Sequence, residues 1–250
     1  MRSLAWVALV LFSGDLFAQS DPRAAQPERP TVATHAGTVA RGYAEIEAGA
    51  EYDRFADRST MWNFPVIMKL GVARNVQLSL MLPFISPPVA GVGPGDFGAG
   101  LKVRLGGGFA VFPSFKVPSG SSARGRGTST TDGSLLLIYS RALGPVAMDL
   151  NAGITRRSGD ESIAPRTSTV WTASFGGPAT GPVGWVVEWF GYPGTKGPAG
   201  SAASVALLAG PTFSLKPWLV LDAGGILGVA GAQPDALYTG ITLNLGRYVP

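Results

Sequence analysis

Apolar and polar residues alternate along most of this sequence, so that side chains of one kind fall on every second position. In the stretch 96–105, for example, Ala99, Leu101 and Val103 alternate with Gly100 and Lys102. A period of two places the two kinds of side chain on opposite faces of a β-strand. The pattern predicts twelve strands, at about 43–52, 61–72, 76–84, 96–105, 109–117, 132–141, 146–156, 167–176, 183–192, 201–213, 218–227 and 236–246.

The predicted strands and their connections have the proportions of a membrane barrel. Each strand has about ten residues, the length of a tilted strand that crosses a bilayer. Long connections at 53–60, 85–95, 118–131, 157–165, 193–200 and 228–235 alternate with short ones at 73–75, 106–108, 142–145, 177–182 and 214–217. Outer-membrane barrels have long external loops and short periplasmic turns. The sequence therefore predicts an all-β fold, a transmembrane antiparallel β-barrel of 12 strands formed by residues 43–250, in the outer membrane of a Gram-negative bacterium.

The first twenty residues have the features of a secretory signal peptide. Arg2 precedes an apolar stretch from Leu4 to Phe12, and small residues surround Ala18. This stretch is too short for a membrane-spanning helix, which needs roughly 20 residues, so we predict a signal peptide at 1–20. Residues 21–42 are polar and rich in proline. They predict an extended periplasmic lead-in, too short for a folded plug domain but able to occlude the periplasmic end of the barrel.

Cysteine and histidine usage argues against several kinds of chemistry. The chain has no Cys and one His, His35, which lies in the lead-in. A serine hydrolase needs its His base within hydrogen-bond reach of the nucleophile, and a zinc site needs several Cys or His ligands. We therefore expect no enzymatic activity, no cofactor and no metal site, with His35 a solvated tail residue. The net charge of +4, without a run of Lys or Arg, argues against a nucleic-acid partner.

The polar faces of the predicted strands carry the candidate lumen residues. In a membrane barrel the apolar face contacts lipid and the polar face lines the lumen. The charges could orient a polar solute, or they could pair with each other, because buried charges are costly unless paired; we favour the paired network. Phe112, on the polar face, is a candidate for stacking against an aromatic solute. The candidate lumen and solute-binding residues are Glu45, Glu47, Glu51, Lys69, Lys102, Arg104, Phe112, Lys116, Asp149, Glu188 and Asp222.

Aromatic residues and loop arginines each allow two interpretations. Most Trp residues fall on the apolar faces, which favours an interface girdle over a stacking site for an aromatic solute. The aromatic set is Tyr52, Trp62, Trp171, Trp185, Trp189, Tyr192 and Trp218. The third long loop carries Arg124 and Arg126; it could constrict the barrel, contact lipid phosphates, or be a free polar loop. Arg156 and Arg157 raise the same question.

Several stretches of the sequence resemble a known family. They are HAGTVARGYAEIEAGAEYDRF, VGPGDFGAGLKVRL and FPSFKVPSGSSARGRGTSTTD, followed by a strand that ends SRALG. Together they are similar to the outer-membrane transporter family labelled putative MetA pathway of phenol degradation, over about 35–246. The resemblance implies an outer-membrane barrel and the passage of aromatic or hydrophobic compounds. It implies no particular catalytic or binding residues.

These observations lead to one main functional hypothesis and one alternative. The main hypothesis is a channel for passive uptake of small hydrophobic or aromatic compounds, with outer-membrane lipid and the solute as its partners. The alternative is a barrel that does not transport and serves a structural or adhesive role. The sequence leaves the solute, the width of the lumen and the oligomeric state open.

Overall fold

The computed structural model describes residues 21–249, and the predicted signal peptide lies outside them. The described chain contains fifteen β-strands and one short 3-10 turn at Ser122–Arg124. The strands are β1 (Tyr43–Arg54), β2 (Thr60–Phe64), β3 (Val66–Ala73), β4 (Val76–Met81), β5 (Phe84–Ser86), β6 (Gly93–Pro94), β7 (Gly98–Gly106), β8 (Phe109–Lys116), β9 (Asp132–Leu143), β10 (Val146–Arg157), β11 (Thr167–Thr180), β12 (Val183–Tyr192), β13 (Ser204–Lys216), β14 (Leu219–Ala230) and β15 (Asp235–Arg247).

The fifteen strands form one antiparallel sheet that closes on itself. Each strand pairs with its neighbour, and β15 pairs with β1 over twelve positions, from Tyr43 opposite Arg247 to Arg54 opposite Asp235. Three of the twelve barrel strands are interrupted, so that β2 with β3, β4 with β5, and β6 with β7 each form one barrel strand. Pro65 stands at the first interruption and has no N–H to donate to a sheet. The predicted fold class, a 12-stranded antiparallel barrel, is confirmed.

The connections differ sharply between the two ends of the barrel. At one end, where β1 begins, each of five turns has two residues: 74–75, 107–108, 144–145, 181–182 and 217–218. Gly107 and Gly108 have φ of 60° and 84°, the left-handed region that glycine adopts without strain. The opposite end carries the longer connections, among them 117–131, 158–166 and 193–203. We call these the periplasmic and external ends, following the rule for outer-membrane barrels.

Several strand boundaries differ from the prediction by a few residues, and two connections show the difference clearly. The predicted turn 177–182 is mostly strand, since β11 continues to Thr180, and the predicted long loop 228–235 shrinks to 231–234. Small residues and prolines in both stretches suggested loops, but hydrogen bonding to the neighbouring strands keeps them in the sheet. Gly177, for example, pairs with Trp185.

The barrel has the reverse of the usual distribution of polar and apolar side chains. Lys69 and Glu188 are fully buried, whereas Leu137 is 53% exposed and Leu237 is 68% exposed. In water, exposing so many large apolar side chains would be unfavourable, but lipid accommodates them. A closed sheet also leaves no unpaired edge in the bilayer. Within residues 21–249, no helix is long and apolar enough to cross a membrane.

Candidate functional site: the lumen and the segment inside it

Residues 21–42, here called the luminal segment, lie inside the barrel. The segment enters at the periplasmic end, where the Ala25 N–H donates to the carbonyl of Pro217 at 2.7 Å and Asn244 Nδ2 donates to the carbonyl of Ala24 at 3.4 Å. It leaves at the same end, where the Gly42 N–H donates to the carbonyl of Gly71 at 2.7 Å. Between these points it occupies the periplasmic half of the lumen, so the predicted lead-in lies within the barrel.

Side chains of the wall accept hydrogen bonds from the backbone of the luminal segment. An irregular segment inside a barrel has no sheet partner, and each unpaired buried N–H would be costly. The wall supplies the missing acceptors from five different strands, β1, β4, β9, β10 and β12. The bonds run from the N–H of Gln26 to Glu45 (2.7 Å), Glu28 to Glu47 (2.7 Å), Val32 and Ala33 to Glu188 (2.8 and 2.7 Å), Thr34 to Asn151 (2.7 Å), Ala36 to Ser140 (2.8 Å) and Val39 to Gln77 (3.0 Å).

A buried ion network fixes the first part of the segment. Lys69 Nζ lies 2.5 Å from Glu45 Oε1 and 2.6 Å from Glu47 Oε1. The Glu28 carboxylate of the segment pairs with Lys102 and accepts a hydrogen bond of 3.0 Å from Gln77 Nε2. Three carboxylates therefore face two ammonium groups, which compensates most of the charge removed from water.

Two glycines form a recess for the guanidinium of Arg29. Gly49 of β1 pairs with Gly240 of β15, and a Cβ on either would lie within 2.4 Å of the guanidinium group. Arg29 Nη2 lies 3.3 Å from Asp222 Oδ1 and donates to the carbonyl of Thr239 at 3.2 Å. Only residues without a side chain leave room for this cation against the wall, so the two glycines determine where the segment sits.

The structure brings together four predicted lumen residues and distributes the others. Glu45, Glu47, Lys69 and Lys102 form one network with Glu28, while Glu188 and Asp222 bind other parts of the luminal segment. Asp149 accepts the hydroxyl of Ser140, Glu51 lies beside Asp53, and Arg104 is half-buried on β7. Phe112 packs against a cluster of Ala36, Ala110 and Ile138. A role of these residues in binding solute stays a prediction.

The expectation for His35 is wrong. It is half-buried within the lumen, and its carbonyl accepts a hydrogen bond of 3.0 Å from Lys102 Nζ. Glu28 and Arg29 of the segment also bind the wall, and no pattern in the sequence predicted this. Gln77 and Asn151 lie on the polar faces of their strands and bind the segment as well, but nothing in the sequence around them indicated a polypeptide as their partner.

One part of the lumen wall is apolar, against the simple rule that apolar faces contact lipid. On β12, Glu188 faces inward, so Val186 and Phe190 face inward as well, while Trp189 faces outward. With inward-facing side chains of β13 and β15 they form a buried group, here called the apolar luminal cluster: Val186, Phe190, Ala206, Leu208 and Tyr238. The pattern on β12 concealed it, because both faces of that strand are largely apolar.

The aromatic residues on the outside fit the girdle interpretation. Trp62, Trp171 and Trp189 are all exposed. Trp171 and Trp189 stand next to buried lumen residues of their strands, and the neighbours of Trp62 are half-buried. The rings of Tyr52 and Trp62 lie 4.9 Å apart on neighbouring strands. Indole and phenol rings of this kind are enriched where a barrel meets the lipid headgroups.

A second charged cluster fastens the loop 117–131 to the external rim. Lys116 Nζ lies 2.6 Å from Asp96 Oδ2, and it donates to the hydroxyl of Thr128 at 2.6 Å. Asp96 also accepts the N–H of Gly120 at 2.9 Å and that of Thr128 at 3.0 Å. Burial by itself raises the pKa of Asp96, but the hydrogen bonds from Lys116, Thr128 and Gly120 outweigh it and lower that pKa. The loop is therefore held by an ionised carboxylate.

We expect Asp96→Asn to free this loop for proteolysis. A carboxyl group whose pKa is lowered on folding stabilises the folded loop above its ordinary pKa, and this contribution is lost as the pH falls through the lowered value. Asn at position 96 imitates the protonated form at neutral pH, so trypsin is expected to cut faster after Arg124 or Arg126. Gel analysis of timed digests measures the rate. Asp160→Asn, at an exposed acid of the next loop, is the matched control, and equal cleavage rates in the two variants would contradict the expectation.

Comparison with known proteins identifies the fold. No family model and no curated protein matches the sequence, so the resemblance to the phenol-degradation family stays a prediction. Among solved structures, the COG4313 outer membrane channel from Pseudomonas putida F1 is similar, with a TM-score of 0.64, 11% identity, and coverage of 83% of this chain and 97% of that one. The NanC porin has a TM-score of 0.54, 10% identity, and coverage of 81% and 100%.

A third similar structure is the CymD monoaromatic hydrocarbon channel, with a TM-score of 0.53, 8% identity, and coverage of 84% of this chain and 90% of that one. The structural similarity establishes the architecture of the barrel, and identities this low do not identify the solute. Within residues 21–249, no group of three or more His, Cys, Asp and Glu side chains is arranged to hold a metal ion. The closed sheet, its apolar outer surface and these likenesses together show that the chain has the fold of the outer-membrane channel barrels.

Proposed function

We propose that this protein is an outer-membrane channel for passive uptake of small hydrophobic or aromatic solutes. The observation that carries the proposal is the way in which the lumen is filled. A purely structural barrel of small diameter is filled by the side chains of its own wall. Here the periplasmic half holds the luminal segment, residues 21–42, attached by side-chain hydrogen bonds and ion pairs. A lumen wide enough for a polypeptide segment is wide enough for a small solute.

The apolar luminal cluster supports a hydrophobic solute. Phe190 follows Glu188 on the inward face of β12, just beyond the position where Glu188 holds the N–H groups of Val32 and Ala33. An apolar solute arriving from the external end would therefore meet aromatic and aliphatic side chains before it meets the ion network. The monoaromatic hydrocarbon channel among the structural neighbours, and the family resemblance in the sequence, favour the same class of solute.

Planar-bilayer recording of the refolded protein tests the proposal. We expect stepwise ion currents that benzyl alcohol reduces more strongly than glucose does at the same concentration. Phe190→Ala is expected to weaken the effect of benzyl alcohol, whereas Trp189→Ala is expected to leave it unchanged. The two variants remove neighbouring aromatic side chains from opposite faces of β12. If benzyl alcohol acted on the bilayer and not in the lumen, it would reduce the current of both variants equally.

A structural or adhesive barrel is the competing function. It predicts no current from protein that is fully folded by heat-modifiable gel mobility, even after the luminal segment has been displaced. It also predicts that aromatic solutes have no effect that depends on Phe190. Either result, in protein shown to be folded, would count against the channel.

A further inference from the structure

A notch interrupts the external rim of the barrel between β11 and β12. Strand β11 begins at Thr167, but its pairing with β12 begins only at Trp171, which lies opposite Gly191. Residues 167–169 therefore extend beyond Tyr192, the last residue of β12. The connection that follows Tyr192 faces them across a cavity of about 400 Å³. Polar side chains line this cavity, among them Arg166, Thr167, Ser168, Thr169, Thr195 and Lys196.

The notch lies at the depth of the lipid headgroups. Trp171, at its lower edge, is 39% exposed on the outside, and its indole lies over Gly191, where a Cβ would be 2.7 Å from the indole nitrogen. Ile154, on the neighbouring strand, is exposed on the same surface. Trp marks the boundary between the hydrocarbon and the headgroups in barrels of this kind. Polar groups immediately above Trp171 therefore face the headgroups of the outer leaflet.

The notch has an excess of positive charge. Arg156 lies two residues beyond Ile154 on the same outer face, and its Nη1 donates to the hydroxyl of Thr167 at 3.1 Å. Lys196 is exposed on the opposite side of the cavity. Within residues 21–249 neither has an ion-pair partner.

The other charged groups nearby are already bound to neighbours. Arg166 Nε lies 2.7 Å from Glu161 Oε1, and the carboxylate of Asp160 accepts hydrogen bonds from the N–H and the hydroxyl of Ser162. Glu161 lines the cavity together with Arg166, and their charges cancel. The excess positive charge therefore comes from Lys196 in the lining and from Arg156, which is hydrogen-bonded to the lining residue Thr167.

We propose that this notch binds the phosphate group of an outer-leaflet lipid. Arg, Lys and hydroxyl donors around one cavity are the groups that recognise phosphate oxygens. The lipid is favoured over a dissolved anion because the cavity opens above Ile154 and Trp171, an apolar surface against which acyl chains would lie. The site goes beyond the proposed channel function and would bind lipid whether or not the lumen conducts.

Native mass spectrometry of the purified barrel in detergent tests this proposal. The probe is diphosphoryl lipid A, compared with the same lipid after its phosphates have been removed. We expect the intact barrel to prefer the phosphorylated form. The double variant Arg156→Ala, Lys196→Ala is expected to bind it roughly tenfold more weakly, the effect of losing one charge-assisted contact or more. Heat-modifiable gel mobility verifies that each variant is folded.

The control is a double variant that also loses two positive charges, but from the periplasmic rim of the barrel. Arg74 and Arg141 are exposed near the periplasmic end, and Arg74→Ala, Arg141→Ala is expected to bind diphosphoryl lipid A as the intact barrel does. Equal weakening in the two double variants would overturn the proposal, as would equal binding of the two lipid forms. Displacement of the lipid by millimolar inorganic phosphate would show a site for free phosphate and would overturn the assignment to lipid.

Discussion

Deleting residues 21–34 is expected to raise the single-channel conductance of the barrel several-fold. This part of the luminal segment carries Glu28, Arg29 and the N–H groups that bind Glu45, Glu47 and Glu188. Without it, the periplasmic half of the lumen fills with water, and ions pass through a wider aqueous path. Glu45, Glu47, Lys69 and Lys102 remain in the wall as two acids and two bases, so their charges still compensate each other.

A single substitution tests the same expectation without shortening the chain. A Cβ at Gly240 would lie 2.3 Å from Arg29 Nε, so Gly240→Val is expected to displace Arg29 from Asp222 and to raise the conductance in part. Gly133→Val is the matched control, because a Cβ at Gly133 would meet nothing within 4 Å. Planar-bilayer recordings measure all three proteins. If the deletion leaves the conductance unchanged, the luminal segment does not limit the passage of ions.

Lys69→Met is expected to lower the free energy of unfolding by roughly 3–5 kcal/mol, the cost of breaking a buried ion pair by removing one partner. Lys69 is fully buried between Glu45 and Glu47, and its ammonium group also donates to the carbonyl of Gln26. Its loss leaves two buried carboxylates without their shared cation. Unfolding by guanidinium chloride in lipid vesicles, followed by tryptophan fluorescence, measures the change.

Two further variants separate charge from packing in this prediction. The triple variant Lys69→Met, Glu45→Gln, Glu47→Gln removes the uncompensated charges and is expected to recover much of the lost stability. Lys196→Met removes a Lys from the exposed external loop and is expected to have little effect. If Lys69→Met is as stable as Lys196→Met, the carboxylates do not depend on Lys69 and the network does not stabilise the fold.

The architecture of the barrel could be predicted because it follows from local patterns. Glu45, Glu47 and Glu51 share one face of β1 for the simple reason that side chains alternate along a strand. The same alternation located Lys69, Lys102, Glu188 and Asp222 on the lumen side. Short connections at the periplasmic end were predicted with three to six residues, and the structure shortens each of them to two. Acids and bases buried in a narrow lumen tend to pair. The sequence therefore predicted an ion network but did not show which residues pair in it.

The luminal segment could not be placed in this way, because its contacts join residues far apart in the chain. Ala33 binds Glu188 across 155 positions, and Arg29 binds Asp222 across 193. Nothing in the polar, proline-rich composition of residues 21–42 distinguishes a segment inside a barrel from a solvated one, and His35 was therefore misplaced. Gly49 and Gly240 look like any other glycines until the closed sheet sets them opposite each other beneath a guanidinium group.

The sequence alone thus determined the number of barrel strands, the face on which most charged side chains lie and the sorting of long and short connections, since each depends on neighbours only a few residues away. Only the tertiary structure decided what the inward-facing side chains hold, because closing the sheet brings five strands around one segment and leaves its unpaired N–H groups within reach of their carboxylates, amides and hydroxyls.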